Sequence, residues 1–125
     1  MKKSLSFLLF VLSVATAATA FAQDAALVQA ARKEGKVVWY TSLALPSSTA
    51  LGHYFQNKYK GIEVEVHRNG SQRVLQRFMQ ETTAGIKNGD VIHTSDAGHY
   101  VLLKDKGLLL QYTPKGVENF PAGFK

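Results

Sequence analysis

The sequence predicts an α/β protein with a parallel sheet. Three observations support this. The run Lys36–Ser42 is continuously β-branched and aromatic at its centre, as in a strand that is covered on both faces. Two further strand-like stretches follow, and apolar residues at helical spacing lie between the three. Strands that alternate with helices form βαβ units with right-handed crossovers, so the expected order is α-β-α-β-α-β-α.

The first 22 residues have the pattern of a secretory signal peptide. Lys2 and Lys3 form a basic start, Leu5–Ala15 is mostly apolar, and Ala20-Phe21-Ala22 fits a cleavage signal after Ala22. The apolar stretch is shorter than the roughly 20 residues of a spanning helix. We therefore expect an exported protein, residues 23–125, most simply in the periplasm. Because the sequence has no cysteine, neither a disulfide nor a lipid anchor on a cysteine is expected.

The charge of the chain does not indicate a nucleic-acid partner. The net charge is +6, but without Lys2 and Lys3 only 13 basic residues stand against 9 acidic ones. The basic residues are scattered along the chain, whereas a nucleic-acid binder concentrates them on one face. Export further argues against nucleic acid.

The first half of the exported chain predicts two helices around a strand. Residues 25–34 form the first helix, which Gly35 ends. After the strand, Pro46 opens a second helix that Gly61 ends. We expect this helix to turn one apolar face inward, formed by Leu51, Tyr54, Phe55 and Tyr59.

The second half continues the alternation. The stretch Ile62–His67 alternates apolar and polar residues, as in a strand near a sheet edge. Ser71 is the expected N-cap of the next helix, which ends near Ala84-Gly85 and places one apolar face inward, formed by Val74, Leu75, Phe78 and Met79. The third strand is Asp90–Thr94. A last helix, roughly His99–Asp105, is capped by Ser95 or Asp96 and stops at Gly107, and Leu108–Leu110 is either a short strand or an apolar plug.

Three loops are expected at the carboxyl ends of the strands, where open parallel sheets bind ligands. They are Thr41-Ser42-Leu43, Asn69-Gly70-Ser71 and Ser95-Asp96-Ala97. Each supplies hydroxyl or amide groups and precedes a helix, whose positive dipole end favours an anion. The same residue types are also ordinary helix caps, so both interpretations stay open at each loop.

No catalytic or metal-binding constellation stands out in the sequence. It contains neither a G-x-S-x-G elbow nor a phosphate-binding glycine loop. The histidines have no zinc-site spacing, and His93 and His99 lie six residues apart across a strand-to-helix turn. Asp96 is a conceivable base without a visible nucleophile. We therefore expect a protein that is not an enzyme and that needs neither a metal nor a cofactor.

Three stretches resemble the start of the extracellular solute-binding proteins of ABC transporters, in the branch with ferric-iron and small-anion binders. They read E-G-K-V-x-x-Y-T-S, K-Y-x-G-I-x-V-E-V and D-V-x-x-T-S-D, within a match from about Ala25 to Pro114. The resemblance implies a type II periplasmic-binding-protein fold of two lobes, of which residues 23–125 are part of the first. Its ligand contacts fall on the three loops already chosen: Thr41, Ser42, Gly70, Ser71, Ser95, Asp96 and Ala97.

The resemblance also bears on the ligand. Iron-binding members are expected to have a histidine after the first strand and an acid near the second loop. Here the first loop reads Leu43-Ala44-Leu45, and Asn69 stands in the second. An oxyanion or an organic anion is therefore expected, with ferric iron left open.

Three hypotheses follow. The first is the substrate-binding component of an ABC importer, a monomer that closes over its ligand and delivers it to a membrane permease. The second is a small exported α/β hydrolase-like enzyme that acts through Asp96 and a histidine such as His99. The third is a truncated product without a function, because uncovered strands and apolar surface favour aggregation.

Overall fold

The computed structural model describes residues 25–114 and 116–124. The predicted signal peptide, residues 1–22, lies outside the described residues. The described residues up to Thr94 form one compact unit, and the described residues from Ser95 onward form a second unit. Among the described helices, none has the length and apolar character that crossing a membrane requires.

The first unit alternates helices and strands as the sequence predicts. Its elements are α1 (25–34), β1 (Lys36–Thr41), α2 (Leu45–Lys58), β2 (Glu63–Arg68), α3 (Ser71–Thr83) and β3 (Val91–His93). The sheet order is β2-β1-β3, and β1 pairs in parallel with both neighbours. The predicted parallel α/β fold is therefore confirmed. The central place of β1 explains its continuous apolar run, and the edge place of β2 explains its alternation.

The face of the sheet toward α3 carries the core of this unit. Val38 and Tyr40 on β1 pack with Val74 on α3, and the half-buried Phe78 and Ile92 pack against them. Val74 and Leu75 are the buried residues of α3, as predicted from their spacing. This face of the sheet is therefore closed by a helix whose sequence pattern indicated its inward side.

The hydroxyl group of the core residue Tyr40 is bound in a network of polar side chains. The side chain is only 1% exposed. Its hydroxyl donates to Oε2 of Glu81 at 2.6 Å and accepts from Nδ2 of Asn88 at 3.2 Å. The guanidinium of Arg77 lies 5.0 Å from the centre of the Tyr40 ring and donates from Nε to Oε1 of Glu81 at 2.8 Å. The buried phenol is thus satisfied by partners on α3 and on the loop that follows it.

This network predicts a loss of stability in alkaline solution. Burial, and then the bond to Glu81, raise the pKa of Tyr40 above its ordinary value of 10.0. Because the folded pKa is the higher one, the stabilisation is complete below pH 10 and is lost as the pH rises through the folded pKa. The free energy of unfolding, measured with urea, should fall by at most about 1.4 kcal/mol per pH unit above pH 10. Tyr40→Phe should lessen this decline, of which the raised pKa of Lys36 leaves a part, and Tyr54→Phe should keep it in full, so an equal decline in both variants would contradict the assignment.

Helix α2 contacts the sheet through small residues, which corrects the predicted inward face. Its buried residues are Ser48 and Gly52, whereas Leu51 and Tyr54 are exposed and Phe55 and Tyr59 are half-buried. A Cβ atom on Gly52 would lie 3.7 Å from Cγ1 of Val64 on β2. The close approach of α2 to β2 therefore selects small side chains and leaves the large ones beside the contact.

The position of α2 leaves part of the sheet uncovered on this side. A groove of about 590 Å³ runs between α2 and the sheet, lined mainly by apolar side chains such as Val37, Trp39, Phe55 and Val91. The groove lies on the sheet face opposite to the Tyr40 network, because residues 39 and 40 point to opposite faces.

The second unit contains helix α4 (Ala97–Asp105) and two short 3₁₀ turns, Val117–Asn119 and Ala122–Phe124. α4 begins two residues before the predicted start at His99, because the Asp96 side chain accepts a hydrogen bond from the N–H of Gly98 at 2.8 Å and acts as the N-cap. Leu108–Leu110 is not a strand. Leu110 is 87% exposed, which also disagrees with an apolar plug at that residue.

Candidate functional site

The parallel sheet brings the ends of its three strands to one edge. Thr41 at the end of β1 is in register with Arg68 on β2 and with His93 on β3. We call the strand ends and the residues 42–44 and 69–71 that follow two of them the carboxyl edge. Ligands of open parallel sheets bind at this edge, so it is where the predicted site residues are tested.

The first predicted loop is held by hydrogen bonds from both sides. The Ser42 N–H donates to the His93 carbonyl at 3.0 Å, and the Leu43 N–H donates to Oγ1 of Thr41 at 3.1 Å. Thr41 is fully buried, and its Oγ1 also lies 3.1 Å from Nδ1 of His93. The hydroxyl oxygen of Ser42 is buried and has no hydrogen-bond partner among the described residues. Thr41 is therefore a structural support of the loop, and Ser42 keeps an unused hydroxyl.

The second predicted loop lies beside the first. The Asn69 N–H donates to the Thr41 carbonyl at 3.1 Å, and the Gly70 N–H donates to Oδ1 of Asn69 at 2.9 Å. The prediction that Ser71 caps α3 is wrong. Ser71 is already the first helical residue, and Gly70, which has no side chain, is the N-cap. Four of the predicted site residues, Thr41, Ser42, Asn69 and Gly70, thus belong to one hydrogen-bonded group.

Arg68 joins the two loops and supplies their positive charge. Its Nε donates to the Leu43 carbonyl at 3.1 Å, and the side chain is exposed. Helices α2 and α3 both start at this edge without a side-chain cap and without an acidic residue in the first turn. Two uncapped helix starts and one guanidinium together favour a negatively charged group.

The third predicted loop belongs to the second unit and is described by itself. Oδ1 of Asp96 is used for the cap of α4, and Oδ2 lies 3.6 Å from Nε2 of His99. Ala97 is the first residue of that helix. Nδ1 of the buried His99 has no hydrogen-bond partner among the described residues. A pocket that combines Ser95, Asp96 and Ala97 with the other two loops stays a prediction.

Two residues of the carboxyl edge were not predicted from the sequence. Arg68 is one of the basic residues that are scattered along the sequence, and the sequence offers His93 only as a metal ligand together with His99. The available signal was their position, since each is the last residue of its strand. In the described part of the chain, no group of three or more His, Cys, Asp and Glu side chains is placed to hold a metal ion.

The described fold has a counterpart among solved structures. Iron-bound HitA from Pseudomonas aeruginosa matches with a TM-score of 0.57 and 22% sequence identity, over 66% of this chain and 26% of HitA. The chain thus spans about a quarter of HitA, and at this identity the likeness shows the fold alone. The predicted fold class, an α/β unit with a parallel sheet, is confirmed, and HitA shares this fold over the matched part of the chain. No protein-family model and no curated protein matches the chain.

Proposed function

We propose that this chain is part of a solute-binding protein of an ABC importer and that its carboxyl edge contributes to the capture of a small oxyanion or organic anion. The observation that carries the proposal is the pair of uncapped helix starts, at Leu45 and Ser71, that follow the two loops next to Arg68, whose Nε binds the Leu43 carbonyl. The hydroxyl of Ser42 lies buried behind the same edge and has no hydrogen-bond partner among the described residues. These groups bind an anion by hydrogen bonds and need no metal ion.

The proposal extends to the whole protein of which this chain is a part. Residues 1–22 direct export, residues 23–125 form part of the first lobe, and Ser95, Asp96 and Ala97 complete the contacts of that lobe. Ligand held between two lobes stabilises a closed state, which a permease in the inner membrane recognises. The structural likeness to HitA supports a binding protein more than an enzyme. HitA itself was crystallised with iron, so ferric iron is the alternative ligand that the experiment has to include.

We expect the 125-residue chain to bind anions weakly, because one lobe supplies only part of a two-lobe site. Titration of the ¹⁵N-labelled chain with sulfate, phosphate or citrate should shift the amide resonances of residues 42–44 and 69–73. The dissociation constant should be about millimolar, which corresponds to roughly −4 kcal/mol. Arg68→Gln should weaken this binding about tenfold, because a charged hydrogen bond is lost.

Arg32→Gln is the matched control, since it removes the same charge from an exposed arginine outside the carboxyl edge, whose Nε also donates to a backbone carbonyl, that of Lys60, at 2.9 Å. An equal loss in both variants would mean that general positive charge, and not the carboxyl edge, attracts the anion. Anion-induced shifts confined to other parts of the chain would contradict the proposed site. Shifts with ferric iron but with none of the three anions would contradict the proposed ligand class.

A further inference from the structure

A chain of charged and polar side chains crosses the sheet face that α3 covers. Nζ of Lys36 on β1 lies 2.8 Å from Oε2 of Glu65 on β2, and Oε1 of Glu65 lies 2.7 Å from Nε2 of His67. Nδ1 of His67 lies 3.2 Å from Nη1 of Arg77 on α3, whose Nε binds Glu81 at 2.8 Å. His67 is therefore the link between the strands and the helix.

The partners of His67 specify its protonation state. A guanidinium can only donate hydrogen bonds, so Nδ1 must present its lone pair to Arg77. An ionised carboxylate can only accept, so Nε2 must carry the proton toward Glu65. Hydrogen bonds from Lys36 and His67 lower the pKa of Glu65, which keeps that carboxylate ionised in mild acid. The observed geometry thus requires the neutral imidazole with its proton on Nε2.

Protonation of the His67 ring would turn one of its two contacts from attractive to repulsive. A proton on Nδ1 would face the N–H groups of Arg77, and two cations would replace a hydrogen bond. The contact to Glu65 would change from a neutral hydrogen bond to a charge-assisted one and become stronger. Histidine is the side chain whose ordinary charge change lies between pH 5 and 8, so these two pH values are the conditions for the experiment.

Groups of both charges surround the His67 ring. The titratable and charged groups around the His67 ring are Lys36 and Tyr40 on β1, Glu65 on β2, and Arg77 and Glu81 on α3. Their two cations and two carboxylates balance. The Tyr40 ring, with its centre 5.0 Å from that of His67, supports the imidazole in both states. The exchange therefore concerns whether the ring keeps its contact with Arg77 in addition to its contact with Glu65.

We propose that His67 forms a pH-dependent contact between β2 and helix α3. The neutral ring binds Arg77 and so connects α3 to β2, whereas the protonated ring releases Arg77 and binds Glu65 more strongly. α3 starts at Ser71, in the carboxyl edge, so the released helix would also loosen the site, a consequence that rests on the proposed function. The pH-dependent contact itself lies between β2 and α3, and its strength can be measured without a ligand.

Three double-mutant cycles on the 125-residue chain test the pH-dependent contact at pH 8 and pH 5. The His67→Leu and Arg77→Met cycle should show a favourable coupling at pH 8, a roughly three- to tenfold effect on the unfolding equilibrium, which disappears at pH 5. The His67→Leu and Glu65→Gln cycle should change in the opposite direction and become stronger at pH 5. Acid loosening of the whole chain cannot produce these opposite signs.

The Arg77→Met and Glu81→Gln cycle is the matched control, because it measures the same guanidinium without the imidazole. The bond from Tyr40, and then the bond from Arg77, lower the pKa of Glu81, so this coupling should be equal at both pH values. A His67–Arg77 coupling that is unchanged between pH 8 and pH 5 would overturn the proposal. A loss of the His67–Arg77 coupling at pH 5 that the control cycle shares would overturn the proposal as well.

A second measurement needs no variant. In ¹⁵N spectra of the wild-type chain at pH 8, His67 should carry its proton on Nε2, with Nδ1 as the unprotonated nitrogen. The Arg77 Nη resonances should shift with the same midpoint as the His67 ring when the pH is lowered. A proton on Nδ1 at pH 8, or Arg77 resonances that do not follow the ring, would overturn the proposal.

Discussion

Replacing Gly89 with alanine is expected to lower the free energy of unfolding by about 3 kcal/mol. A Cβ atom at this position would lie 2.5 Å from Cε2 and 2.6 Å from Cδ2 of Tyr40, which is closer than carbon atoms can approach. The Tyr40 ring cannot move away cheaply, because it is buried and its hydroxyl is bound to Glu81 and Asn88. The backbone of Gly89 does not have a positive φ, so the cost is steric overlap and not backbone strain.

Urea unfolding of the wild-type chain and the variant gives this difference directly, provided that the slope with denaturant is unchanged. Gly123→Ala is the matched control, since nothing lies within 4 Å of a Cβ atom there and its φ is not positive. We expect that control to change the free energy of unfolding by less than about 0.5 kcal/mol. Equal effects of the two substitutions would mean that the contact between Gly89 and Tyr40 is not tight.

The sequence predicted the element order and the parallel sheet because these depend on local patterns. The run Lys36–Thr41 is apolar on both faces and became the central strand, and the alternating stretch after Gly61 became the edge strand β2. One strand begins later than predicted, at a place where a side chain contacts a residue that is distant in the sequence. β3 starts at Val91 and not at Asp90, where the Asp90 carboxylate accepts the N–H of Val38 at 2.8 Å.

The carboxyl edge could be predicted only in part. Thr41, Ser42, Asn69 and Gly70 were found because strand ends in parallel sheets share one edge, a rule that needs no coordinates. Arg68 was missed because its contribution depends on the bond from its Nε to the Leu43 carbonyl, 25 residues away in the sequence. Such a bond leaves no trace in composition or spacing. The role of His67 is hidden in the sequence for the same reason, since its partner Arg77 is set by the packing of α3.

The inward face of α2 is the clearest disagreement, and it leads to a further expected result. Ser48→Leu should lower the free energy of unfolding by about 2 kcal/mol, because Ser48 is completely buried and a leucine adds volume that a packed interface cannot accept. The better helix propensity of leucine offsets only a fraction of this cost. By contrast, Tyr54→Ala should cost less than about 1 kcal/mol, because the Tyr54 side chain is 64% exposed.

The apolar spacing of α2 predicts the reverse order, since truncation of a buried aromatic residue costs about 3–5 kcal/mol. The two substitutions therefore decide which face of the helix contacts the sheet. Thr49→Leu is the control for the introduced side chain, because it places a leucine on the exposed neighbour of Ser48 and should be nearly neutral. If Tyr54→Ala destabilised the chain more than Ser48→Leu in urea unfolding, α2 would have to contact β2 through its large residues, and the close packing of Gly52 on Val64 would be wrong.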